Sequence, residues 1–273
     1  MPEDRRDREA LEVCHLTTSH RAIDNRLFYN EACSLARAGY RTAIIGQHER
    51  REILEGVEII PLSTDGRRRS MIGRMMRALR IAIKEKAALY HFHDPELIPV
   101  GVVLKLLGKK VIWDAHEDYQ SQLMSRNLPA AAKTLLARCW WVFEKNASRF
   151  FDHVITADSQ TEGKFSADKA TTIANFPPAA FGDVERGEST SDTLRIAYIG
   201  GISRERGLVK VVEALDHLKG EPVEFHIAGD TSDPELLKLF SEHPKVVYHG
   251  RVPWKEVPRY LASAEVGVVL LQP

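Results

Sequence analysis

Tyr90-His91-Phe92-His93-Asp94-Pro95-Glu96-Leu97 and, after a helical stretch near 96–107, Val111-Ile112-Trp113-Asp114-Ala115-His116-Glu117-Asp118 reveal how this chain is built. Each is a short apolar run, and each turns polar at its carboxyl end. A strand, a helix and a second strand of this kind imply parallel strands joined by a crossover. The same alternation extends in both directions. Val13-Cys14-His15-Leu16, Thr42–Gly46 and Val57–Leu62 precede, and Val154–Asp158 and Thr172–Phe176 follow. Helical spacing is found near 26–38, 70–86, 131–150 and 160–167. Nearly continuous apolar strands fit a sheet covered on both faces.

The texture changes at residues 177–193, PPAAFGDVERGESTSDT, which have no period and are rich in Pro, Gly, Ser and charge. This reads as a linker. A second series then begins with Arg195–Gly200 and continues with Glu224–Gly229, Val246–Gly250 and Val266–Leu271, with helices near 207–219, 234–242 and 255–263. The expected organisation is a disordered start at 1–10, a domain at 11–176, a linker at 177–193 and a second α/β domain at 194–273. Four strands are fewer than the roughly six of a full doubly wound sheet. The last one reads as a buried strand with nothing after it, so the second domain is expected to be incomplete and the chain a fragment, a naturally short protein being the alternative.

Bulk composition sets limits on the partners. Thirty-eight basic and 38 acidic residues balance to zero, which argues against bulk nucleic acid as the main partner. Cys14, Cys33 and Cys139 lie far apart, without the CxxC spacing of a zinc ribbon or a dithiol. MPEDRRDREA at the start is no signal peptide. No apolar run reaches the roughly 20 residues of a membrane span. The expected location is cytoplasmic.

Between a strand and a helix lies Ile199-Gly200-Gly201-Ile202-Ser203-Arg204-Glu205-Arg206-Gly207. Ligands of open α/β sheets collect at such strand ends. Two glycines let a phosphate approach the backbone, the helix N-terminus offers free N–H groups, and Arg206 offers a permanent cation. A tight turn with solvated arginines fits the local sequence equally well. GxGxxG, the mark of a dinucleotide site, is absent.

Taken in order, four segments resemble the family-4 glycosyltransferases of the GT-B fold, especially a bacterial polysaccharide-type subgroup. They are His20–Phe28 with the helix ending at Ala36–Tyr40, then Tyr90–Leu97, then Val111–Asp118, and finally the glycine loop with Phe225–Asp230 and Tyr248–Val252. Together they cover the chain from about residue 11 onward. The resemblance implies two Rossmann-like doubly wound domains facing a cleft. It implies retaining transfer of a sugar from a nucleotide diphosphate sugar to a glycan or lipid-linked acceptor, with no metal or other cofactor. Donor binding would fall to Gly200, Gly201, Arg206 and, through its main chain, Val252. His116 would be the catalytic residue at the donor hexose. His20, Asp24, Arg26, His93, Asp94, Glu117 and Asp118 would line the acceptor side.

This chain departs from the family's Arg-x4-Lys-Gly loop, having Gly201 and Arg206 at the charged positions. The family's Glu-x7-Glu segment would fall beyond Pro273. Such a chain is expected to bind donor poorly and turn over little.

The residues leave bland readings open. His116 also suits a hydrogen-bonded structural histidine. Asp24, Glu117 and Asp118 suit helix caps or first turns, and Arg26 suits either a phosphate or an acidic group of the acceptor. His91 and His93 face one side of a strand and, with Asp94, sketch a zinc site. No further ligand set is evident in the sequence, so no metal is expected.

Residues 67–86, RRRSMIGRMMRALRIAIKEK, combine apolar residues at helical spacing with basic ones. They suit either an anionic membrane surface at the inner face or an ordinary core-facing helix. Other functions compatible with the chain are a GT-B-fold epimerase or phosphorylase and a non-catalytic half completed by a partner.

Overall fold

The computed structural model describes residues 10–62, 70–116, 119, 123–124, 129–177, 181–182, 184 and 192–270. Glu117, Asp118, Arg67–Arg69 and most of 177–193 lie outside these. The chain divides into two compact units, Met1–Phe176 and Pro177–Pro273.

The first unit carries an eight-stranded sheet. Its strands are β1 (Val13–Arg21), β2 (Thr42–Gln47), β3 (Glu52–Leu54), β4 (Val57–Pro61), β5 (Leu89–Phe92), β6 (Lys110–Ala115), β7 (His153–Thr156) and β8 (Ala170–Thr172). They lie in the order β3-β4-β2-β1-β5-β6-β7-β8. Every pairing is parallel except β3–β4. β2 adds to one side of β1 and β5 to the other, so the direction of winding reverses between β1 and β5. That is where open α/β sheets bind ligands.

Strand alternation separates two faces. Cys14, Leu16, Tyr90, Phe92, Val111 and Trp113 join one core. It is covered by α2 (Met71–Glu85) and α3 (Ile98–Leu106), which contribute Ala78, Ala82, Ile98 and Leu104. On the other face Ile44, Val57 and Ile59 meet Leu27, Phe28, Ala32 and Cys33. The last four come from a π-helical segment, Asn25–Ala32, that continues as α1 (Cys33–Arg37). α4 (Ala130–Ser148) and α5 (Ser159–Glu162) complete the unit.

Local chemistry sets the ends of α2. The Ser70 hydroxyl accepts from the Gly73 N–H at 3.2 Å, the usual N-cap arrangement. Lys86 takes the left-handed conformation that stops the helix. β3 was not expected from the sequence. Glu55 and Gly56 both have positive φ, 49° and 81°. Two such residues make the tight turn that closes an antiparallel hairpin. β8 begins two residues before the expected Thr172, because Ala170–Thr172 pairs with Val154–Thr156 and the chain then turns away.

The second unit has β9 (Leu194–Ile199), β10 (Val223–Ala228), β11 (Val246–Gly250) and β12 (Val266–Gly267), all parallel in the order β11-β10-β9-β12. Phe225, Ile227, Leu208, Val212, Leu236 and Phe240 form its core. They involve α6 (Leu208–Leu215) and α7 (Pro234–Glu242), and α8 (Val257–Ala262) leads into β12. The buried strand expected at 266–271 is corrected. Pairing to β9 spans Val266–Gly267, and Val269 is 83% exposed.

Candidate functional site

On the face beneath the π-helical segment the strands of the first unit are polar. His15 from β1, His91 from β5, His93 just past β5 and Asp114 from β6 are all buried. Asp114 is the hub. It is fully buried, and Arg26 forks onto it, with Nε 2.8 Å from Oδ2 and Nη2 3.0 Å from Oδ1. His93 Nδ1 lies 3.0 Å from Oδ2 and His116 Nδ1 lies 3.3 Å from it. Burial alone would raise its pKa, but His116, His93 and Arg26 together hold the carboxyl well below the usual range. Asp114 therefore carries a charge in the interior that its neighbours compensate.

Arg26 also donates from Nη1 to the Ile173 carbonyl at 2.9 Å and is itself buried. This corrects the phosphate reading of Arg26. Its fork braces β6 and the segment after β8 from inside, rather than facing a ligand. Asp24 is half-buried and accepts from the Arg26 and Leu27 N–H groups at 2.9 and 3.3 Å, so it caps the segment that delivers Arg26.

Asp94 performs a similar task one strand away. Its Oδ2 accepts from the Thr17 hydroxyl at 2.9 Å and the Ser19 N–H at 3.1 Å, and from the Thr18 N–H. This fixes the turn after β1. His20 Nε2 lies 3.4 Å from Asp94 Oδ1. The His20 and His116 rings are 6.0 Å apart, and those of His93 and His116 6.1 Å. The side chains of His20 and His116 are 34% and 18% exposed, whereas His93 is only 2% exposed. The two accessible imidazoles thus stand over two buried carboxylates at the strand ends.

Two residues that sequence reasoning did not single out join this group. His15 Nδ1 lies 3.0 Å from His93 Nε2. Glu31 from the π-helical segment places Oε2 3.6–3.8 Å from His15, His91 and His93. Burial lowers the pKa of His15 well below its ordinary value and that of His91 to about 3. Burial, with Asp114 nearby, raises that of Glu31 well above its ordinary value. The one available signal was a histidine inside the otherwise apolar Val13–Leu16.

In the second unit, Gly200 and Gly201 follow β9. The chain passes through a single turn at Arg204–Arg206 and then Gly207 in a left-handed conformation, φ 65°, directly before α6. The Tyr198 hydroxyl donates to the Gly201 carbonyl at 2.6 Å. Nothing lies within 4 Å of where a Gly201 side chain would begin. Arg204 pairs with Asp233, Nε to Oδ2 2.9 Å. Arg206 is exposed and forms no ion pair among the described residues. Val252 is half-buried in the loop after β11. Glu117 and Asp118 lie outside the described residues.

Residues 25–173 match the model of Glycosyltransferase Family 4. No curated protein matches the sequence. Solved structures share the fold. Sucrose-phosphate synthase from Thermosynechococcus elongatus is 16% identical over 95% of this chain and 75% of its own, with a TM-score of 0.67. WaaG, a glycosyltransferase involved in lipopolysaccharide biosynthesis, is 11% identical over 95% and 75%, with a TM-score of 0.66. Anabaena HepE in complex with UDP and glucose is 13% identical over 96% and 74%, with a TM-score of 0.61. The architecture is that of the GT-B glycosyltransferases. The family match spans over half of the 273 residues and includes Arg26, His93, Asp114 and His116; the chain belongs to glycosyltransferase family 4.

Proposed function

We propose that this protein transfers a sugar, with retention, from a nucleotide diphosphate sugar to a glycan or lipid-linked acceptor in surface polysaccharide synthesis. The observation that carries this reading is the family match across the unit in which accessible His116 and His20 stand over buried Asp114 and Asp94. His116 faces the donor hexose, and His20 and the turn held by Asp94 receive the acceptor. The diphosphate lies on the Gly200–Gly201 turn and the start of α6, where free N–H groups and the exposed Arg206 favour an anion. The Val252 backbone meets the base. HepE has been observed with UDP-glucose, which makes a uridine diphosphate sugar the first donor to try.

Calorimetric titration of the chain with UDP- and GDP-sugars tests the donor site. Weak but saturable binding is expected, and Arg206→Ala should weaken it a further ~10–100-fold, the range for a lost charge-assisted hydrogen bond. Where turnover is measurable, His116→Ala is expected to lower it about 10²–10³-fold with folding unchanged. No binding of any nucleotide sugar, by this chain or by the longest product found in cells, would sink the enzyme reading and leave the half that a partner must complete.

Helix α2 supports work at a lipid surface on the cytoplasmic side. Met71, Ile72, Met76 and Ile83 are 45–70% exposed on a helix that also carries Arg74, Arg77, Arg80 and Lys84. The expected result is co-sedimentation with vesicles containing anionic lipid but not with neutral ones, weakened by salt and by Ile72→Ser with Met76→Ser. Equal sedimentation with both vesicle types would contradict it.

A further inference from the structure

Four potential ligand atoms from three separate elements meet beneath the site. They are His15 Nδ1 from β1, His91 Nδ1 and His93 Nε2 from the end of β5, and Glu31 Oε2 from the π-helical segment. Glu31 Oε2 lies 3.8, 3.6 and 3.7 Å from the three nitrogens in turn, and His15 Nδ1 is 3.0 Å from His93 Nε2. All four atoms lie within 4.8 Å of one another. Four-coordinate zinc with bonds of about 2.0–2.2 Å needs ligands about 3.3–3.5 Å apart. The spacings of 3.0–3.8 Å lie on either side of that range.

Both Glu31 oxygens are buried without a hydrogen-bond donor, and a cation among the four ligand atoms would pair Oε2. Buried polar atoms are paired in the great majority of cases. Arg26 Nε is 3.1 Å from Glu31 Oε1, but its donors are directed onto Asp114. The outer nitrogen of His93 is held by Asp114 Oδ2 at 3.0 Å, the carboxylate–histidine support typical of metal-bound imidazoles.

The backbone is also shaped for this. In an α-helix Arg26 and Glu31, five residues apart, would point about 140° away from each other. The wider π turn, in which the Tyr29 N–H reaches the Asp24 carbonyl at 3.3 Å, narrows that angle. Both side chains enter the same interior. Such turns are frequent at functional sites.

We infer that His15, Glu31, His91 and His93 form a structural site for a late first-row divalent ion, zinc foremost, which ties β1, β5 and the π-helical segment together. Three imidazoles and one carboxylate suit such ions rather than magnesium or calcium. Four protein ligands leave no open position for substrate, so the ion organises the ground beneath His116 and His20 without entering the reaction. This replaces the sequence expectation of no metal. It stands apart from sugar transfer, since the readouts are metal binding and stability.

The test is titration of the untagged, chelator-stripped full chain with Co²⁺. One equivalent should bind, with the visible bands of four-coordinate cobalt, and Zn²⁺ should displace it and raise the melting temperature. Glu31→Gln, nearly isosteric, should keep the native circular dichroism and weaken binding at least about tenfold. His116→Gln should bind as the parent does, which separates this site from the adjoining His93–Asp114–His116 group. A cobalt spectrum that never saturates, a six-coordinate spectrum, or unaltered affinity in both Glu31→Gln and His91→Gln would overturn the inference.

Discussion

Arg26→Met is expected to destabilise the first unit by about 3–5 kcal/mol, the range for removing one partner of a buried ion pair. The methionine replaces most of the volume, so the effect isolates the charge. Asp114 is fully buried and would keep His93 and His116 beside it, neither of which is a permanent cation. The Ile173 carbonyl would lose its donor as well. Arg26→Lys should recover less than half of the loss, since one ammonium cannot span both Asp114 oxygens. The double variant Arg26→Met with Asp114→Asn should be more stable than additivity predicts, because the stranded carboxylate is gone. Urea unfolding of the first unit, followed by circular dichroism, checks all three. A loss under about 1 kcal/mol for Arg26→Met would mean that the pair behaves as an exposed one.

Gly229→Ala is the counterpart in the second unit, with an expected loss of about 2–4 kcal/mol. A Cβ there would overlap the Gly200 carbonyl oxygen and sit 3.2 Å from Ile202 Cγ1, at a φ of +150°. Neither neighbour is free to move. The Gly200 N–H donates to the Ala228 carbonyl at 3.0 Å, and the Gly229 N–H to the Gly250 carbonyl at 2.8 Å. The ends of β9, β10 and β11 are stitched together at this point, so the added methyl must push the Gly200–Gly201 turn aside. Hydrogen exchange at the Gly200 and Gly229 amides should accelerate with the loss of stability. Gly201→Ala, with nothing within 4 Å, should change stability by less than about 0.5 kcal/mol. If the two substitutions behave alike, the turn does not have the tight packing described.

Much of the architecture was legible because it depends on short-range pattern. Alternation placed His91 and His93 on one side of β5, and apolar runs separated by helical spacing gave the parallel strands. What sequence left open was tertiary. The two readings of Asp24 differ only in where its carboxylate finds N–H groups. Arg26 and Asp114 meet across distant segments, and no local spacing states that a guanidinium will be buried on a particular carboxylate. His15 and Glu31 entered the site through the β1–β5 register, His15 opposite His91, and through a π turn that apolar spacing does not distinguish from an α-helix. β3 was overlooked because the run before the two-residue turn Glu55-Gly56 is too short to read as a strand.

The placement of β1 also constrains the order in which the molecule can assemble. It is the first of this sheet's described strands in chain order, yet it lies inside the sheet between β2 and β5. A nascent chain that has produced β1 through β4 can join them, but the far side of β1 stays unpaired until Leu89–Phe92 is synthesised and adds to it. Until then the main-chain groups along Val13–Leu16, and the Cys14 and Leu16 side chains, lack their final cover. Pairings this remote form slowly, and exposed strand edges attract other chains. The interval between the synthesis of β1 and that of β5 is thus when this polypeptide most needs a chaperone, and refolding should lose more material to aggregation when β5 is disrupted than when β8 is.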